Sequence, residues 1–82
     1  MVELDENWRV VLLFPDEFND FIAEIYYQDV FLCMISQESG YDQLDIEIAS
    51  KPNGEDWNFK LSDFEKAVER AKQRLWDLRK TE

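Results

Sequence analysis

Phe21-Ile22-Ala23-Glu24-Ile25-Tyr26-Tyr27-Gln28-Asp29-Val30-Phe31-Leu32-Cys33-Met34-Ile35-Ser36-Gln37 decides the fold. Two runs rich in aromatic and β-branched residues, Phe21 to Tyr27 and Val30 to Gln37, flank the polar pair Gln28-Asp29. That is the pattern of a β-hairpin. Neither turn residue is glycine, which leaves the turn type open. With Tyr27 opposite Val30, alternation sorts the side chains into two faces. Phe21, Ala23, Ile25, Tyr27, Val30, Leu32 and Met34 make one face, apolar throughout and suited to a core. Ile22, Glu24, Tyr26, Phe31, Cys33 and Ile35 make a second, mixed face.

Downstream of the hairpin, a loop through Glu38-Ser39-Gly40-Tyr41-Asp42 leads into Leu44-Asp45-Ile46-Glu47-Ile48, which alternates strictly. This segment reads as a half-buried strand with Leu44, Ile46 and Ile48 on the core face and Asp45 and Glu47 on the other. Pro52-Asn53-Gly54-Glu55 is a turn, and Trp57-Asn58-Phe59 suggests a short edge strand. Upstream, Trp8-Arg9-Val10-Val11-Leu12-Leu13-Phe14 favours β structure, although its near-continuous apolarity leaves a helix open.

The last segment reads as a helix over about 62–79. Ser62 and Glu65 have capping-box spacing, and Phe64, Ala67, Val68, Ala71, Leu75 and Leu78 form one apolar stripe. Asp63 and Glu65 at its start, with Arg79 and Lys80 at its end, complement the helix dipole. The stripe needs an apolar surface to cover. The expectation is therefore a single α+β domain, 1–82, in which an antiparallel sheet of three to five strands (about 8–60) packs on one C-terminal helix in two layers.

Composition narrows function more by exclusion than by assignment. The 82 residues carry a formal charge of −10, unevenly placed. Residues 1–50 hold twelve carboxylates against the single base Arg9, a net −11, whereas residues 51–82 hold seven acids and eight bases, a net +1. Such a field disfavours nucleic acid and anionic membranes and speeds encounter with basic partners. Lys66, Arg70 and Arg74 on the helix are interleaved with Glu65, Glu69 and Asp77, the pattern of an ordinary solvated face. The chain contains no histidine, one cysteine and two isolated glycines. That removes His-based catalysis, thiolate metal sites and phosphate-cradling loops. Paired carboxylates remain, but a chain this short offers little room for a substrate cleft. No cofactor, metal or catalytic activity is expected. The acidic start of the chain does not read as a signal peptide, and no apolar stretch approaches the ~20 residues of a membrane span. The expected location is the cytoplasm, and the default state is a monomer.

The mixed face is the candidate site. It joins Glu24, Asp45 and Glu47 with the rings of Tyr26 and Phe31, a combination in which rings supply contact energy and charges select the partner. Alternatively, Trp8–Phe14 or the loop near Trp57 simply covers those rings. Trp76, well off the centre of the helix stripe, is a second candidate anchor.

Three blocks and the C-terminal helix that follows them resemble small immunity proteins of bacterial contact-dependent growth inhibition and related polymorphic toxin systems. The blocks are Glu24-Ile25-Tyr26-Tyr27-Gln28-Asp29-Val30-Phe31, Ile35-Ser36-Gln37-Glu38-Ser39-Gly40 and Trp57-Asn58-Phe59-Lys60-Leu61-Ser62-Asp63-Phe64. The resemblance covers roughly residues 8–78 in layout and acidity. It implies a cytosolic protein that binds one cognate toxin domain, often at its active site. Many such toxins are nucleases with a basic groove, which carboxylates can occupy as phosphate surrogates. Geometry, rather than the resemblance, selects Glu24, Asp42, Asp45 and Glu47 as the contacting acids, with Tyr26 and Phe31 as anchors. A phage-type nucleic-acid mimic that inhibits a restriction or CRISPR enzyme would use the same charge. A small adaptor or chaperone would instead use apolar surface.

Overall fold

In the computed structural model, which describes residues 2–3 and 7–78, the hairpin forms the centre of the sheet. The strands are β1 (Val2–Glu3), β2 (Trp8–Leu13), β3 (Ile22–Tyr27), β4 (Val30–Ser36) and β5 (Asp45–Ile48). They make one antiparallel sheet in chain order, β1-β2-β3-β4-β5. A single helix, α1 (Leu61–Leu78), lies across β2 and β3. The two-layer α+β arrangement expected from the sequence is the one the chain adopts, with five strands among the described residues. The segment left open between strand and helix, residues 8–14, is strand through Leu13.

Tyr27 faces Val30 across the turn, as the alternation requires. Gln28 and Asp29 both adopt positive φ, 52° and 64°. Two consecutive positive φ values mark a type I′ turn, whose twist matches that of the flanking strands. Neither residue is at ease there, because a Cβ crowds the left-handed region. Gln28→Asn with Asp29→Gly is expected to stabilise the protein by about 1 kcal/mol. The melting temperature should then rise by roughly 4–8 °C. The exposed Arg9–Asp29 ion pair lost with it, 3.1 Å long, contributes little.

Beyond the turn, β4 departs from simple alternation. Tyr26 pairs with Phe31 but Ile25 pairs with Cys33, so Leu32 is an extra residue, a β-bulge. The extra residue shifts every later side chain to the opposite face. Cys33 and Ile35, expected on the mixed face, therefore point into the core, and Met34, expected in the core, points out. Leu32 also stays buried. The core joins Trp8, Val10, Ala23, Ile25, Leu32, Cys33 and Ile35 to Ala67, Ala71 and Leu75 of α1. Burial pushes the Cys33 thiol up to about 11, which keeps it protonated and unreactive at neutral pH.

Three further expectations need correction. Trp57-Asn58-Phe59 is not a strand. The Trp57 indole N–H donates to the Ala49 carbonyl at 2.7 Å, and Phe59 packs 5.0 Å from Trp8 and 5.2 Å from Tyr27. The segment closes the end of the core instead of widening the sheet. The helix begins at Leu61, and the Lys60 carbonyl accepts from the Phe64 amide at 3.1 Å. Ser62 therefore sits inside the first turn and does not cap it. Arg79 and Lys80 lie outside the described residues. Finally, Ile46 and Ile48 take the helix side of the sheet through pairing with Ile35 and Cys33, but they are 46% and 61% exposed. The helix covers β2 and β3 and leaves β5 overhanging.

Candidate functional site

The face of the sheet away from the helix is organised in rows by strand register, since residues opposite one another share a face. One row runs Arg9, Tyr26, Phe31; the next runs Val11, Glu24, Met34, Glu47. Ser36 and Asp45 pair at the far end.

The aromatic row is built on Tyr26. Its ring meets Phe31 edge-on, with centroids 5.7 Å apart. The Arg9 guanidinium lies over the other side, 4.8 Å from the Tyr26 centroid. Arg9 also donates to Asp29 Oδ1 at 3.1 Å, so the one base of this face is already paired. Two residues earlier on the same strand, and hence on the same face, Glu24 accepts the Tyr26 hydroxyl at 2.9 Å. Tyr26 and Phe31 remain partly exposed. The Trp8–Phe14 segment covers Tyr26 only in part, through Arg9, and Trp57 packs toward Ala49.

The Tyr26 phenol titrates above its ordinary value of 10.0. The hydrogen bond to Glu24 is the main cause, burial and the Glu24 charge add to it, and Arg9 opposes it. A raised pKa means that the neutral phenol is favoured in the folded state. The stabilisation is therefore complete below about pH 10 and is lost as pH rises through the folded value. Glu24→Ala is expected to move the Tyr26 phenolate transition back toward lower pH in an ultraviolet titration. An unmoved transition would mean that Glu24 does not hold the ring.

Met34 stands between Glu24 and Glu47, paired with both. Two strand spacings separate the carboxylate positions by about 9–10 Å. Carboxylates so placed are spaced to meet two separate cations, not to cage one between them, since a hard cation needs its oxygens at about 2.3–2.6 Å. Among the described residues no group of three His, Cys, Asp or Glu side chains is arranged to hold a metal ion. Phe31, Met34 and Glu47 line a shallow hollow of about 310 Å³ with Ile48 and Ala49.

The six residues selected from the sequence thus divide. Glu24, Tyr26, Phe31 and Glu47 come together on the open face. Asp45, exposed at its edge, accepts the Ser39 hydroxyl at 3.4 Å. Asp42 lies in the 3-10 turn Tyr41–Gln43 and borders a different groove, of about 440 Å³, between β5 and α1, which Asp45 also lines. It is not part of the open face. Four members of the face are not given by the sequence pattern. Arg9 and Val11 belong to it because β2 pairs in register with β3, and Met34 and Ser36 because of the bulge. Trp76, 46% exposed, stacks edge-on against Tyr41 at 5.0 Å on the helix side.

Among the described residues no helix is long and apolar enough to cross a membrane. No protein-family model, curated protein or solved structure matches the chain.

Proposed function

We propose that this protein is an immunity protein that neutralises a basic toxin domain, a nuclease, by setting the open face of its sheet against the toxin's phosphate-holding groove. One observation carries the reading: the open face places partly exposed aromatic rings beside separated carboxylates, while Arg9, its only base among the described residues, is paired internally. Rings of this kind supply apolar contact area, and carboxylates spaced for separate cations match the Lys and Arg side chains that a nuclease aims at successive phosphates. The twelve acids of residues 1–50 extend the same field and speed association. A catalytic use of Glu24 and Glu47 is less well supported, because Met34 stands between them on an open surface.

The test is to express each reading frame adjoining the gene in a bacterial host, alone and together with this chain. One product should arrest growth by degrading nucleic acid, and co-expression should restore growth. Glu24→Lys with Glu47→Lys should abolish the protection while the variant still accumulates as a folded protein. Protection by that double variant would remove the open face from the mechanism. If no neighbouring product is toxic, the immunity reading falls.

A further inference from the structure

We infer that β5 is a strand-addition site for an extended basic segment of the partner, one that alternates apolar and cationic residues. β5 ends the sheet, and among the described residues no strand pairs with its outer edge. The backbone of that edge can be assigned. The Ala49 amide donates to the Leu32 carbonyl at 2.8 Å, and antiparallel pairs alternate between bonded and non-bonded. Counting from that pair, Glu47 with Met34 and Asp45 with Ser36 are the bonded pairs. The N–H and C=O groups of Ile46 and Ile48 therefore point away from the sheet. The side chains of these two residues are also exposed, 46% and 61%. The groove of about 440 Å³, lined by Tyr41, Leu44, Ile46 and Val68, continues the apolar strip toward α1. Exposed edges are commonly blunted by brevity, charge, proline or a bulge. β5 has no proline or bulge, but it is only four residues long and carries Asp45 and Glu47, so its charge restricts what can pair there.

The charge on β5 selects the occupant. Residues of an added strand that face Ile46 and Ile48 fall on the helix side, and those that face Asp45 and Glu47 fall on the open face. Asp45 and Glu47 there, with Asp42 beside the groove, outnumber Lys72, which also lines the groove and is paired with Glu69 at 3.6 Å, and they repel an acidic strand. They also repel a second copy of β5, whose own Asp45 and Glu47 would lie alongside. Lys or Arg opposite the carboxylates, with Val, Ile or Leu between, fits both sides at once. This inference deepens the proposed function and rests on it only for the partner's basic character.

The test leaves the toxin out, so that the two ideas can fail separately. The probe is a capped peptide of about ten alternating Val and Lys residues, long enough to span β5. It should slow hydrogen exchange at the Ile46 and Ile48 amides by about tenfold or more, as new ladder hydrogen bonds would. A Val–Glu peptide should not. Ile48→Pro removes an outward N–H without breaking a bond to β4 and should weaken peptide binding by about tenfold. Ile48→Ala keeps the N–H and should weaken it less. Equal weakening by the two variants overturns strand addition in favour of side-chain contact alone. Unchanged exchange at both amides overturns it as well, and so does a β5-mediated dimer formed without peptide. If Ile48→Pro fails to fold, the exchange pattern of the unmodified chain decides. Neutralisation of a toxin without peptide binding at β5 would sink this inference and leave the proposed function standing.

Discussion

Trp8→Ala is expected to cost about 3–5 kcal/mol, the range for removing a buried large aromatic. An 82-residue domain has a total stability of only about 4–12 kcal/mol. Trp8 is 3% exposed and joins four segments. From β2 its ring meets Tyr27 of β3 at 4.7 Å, Phe59 of the closing segment at 5.0 Å and Phe64 of the first helical turn at 6.2 Å. Its removal leaves a cavity that none of the other three can fill without breaking their own contacts. The melting temperature followed by circular dichroism should fall by roughly 15–30 °C. Trp76→Ala provides the contrast, because Trp76 is half-exposed and its cost should stay near 1–2 kcal/mol. A loss at Trp76 equal to that at Trp8 would show that the ring cluster does not hold sheet and helix together.

The parts of this fold that could be read from sequence are those set by local pattern. The hairpin register follows from Tyr27 and Val30 flanking a polar pair, and the helix from the stripe Phe64 to Leu78. What escaped was set at a distance. A single extra residue, Leu32, reversed the faces of Cys33, Met34 and Ile35, and no composition signal marks it, because all of these residues are apolar. Strict alternation placed Ile46 and Ile48 on the correct side of the sheet but said nothing of their burial. That depends on where α1 comes to rest, and it rests on β2 and β3. Trp57 and Phe59 have strand-like spacing, yet their rings are more useful closing the core beside Trp8 and Tyr27. Of the candidate site, Glu24 and Tyr26 share a strand face and could be joined from spacing alone. Asp42 could not be placed, because loop geometry carries no periodicity. Arg9 required the β2–β3 register, which only the assembled sheet supplies.

Charge reversal separates the open face from the overall acidity. Asp45→Lys with Glu47→Lys changes the net charge from −10 to −6, since each reversal adds two. Both side chains are exposed and neither supports the core, so stability should move by no more than about 0.5 kcal/mol. Relief of self-repulsion favours a small gain. Association with the basic partner should slow by roughly 10–100-fold at low salt, because charges near the contact steer encounter. The difference should shrink as salt rises past the point where the Debye length is about 10 Å, at roughly 0.1 M. Glu65→Lys with Glu69→Lys is the matching control. It produces the same net charge from exposed positions on the helix, away from the open face. If steering depends on where the charge sits, the helix pair should slow association far less than the sheet pair. Equal slowing would mean that total charge alone brings the partner in, and the open face would lose its claim to be the contact surface. Because the helical half of the chain is nearly neutral and the sheet half carries almost all the excess negative charge, the expected outcome is slowing confined to the sheet.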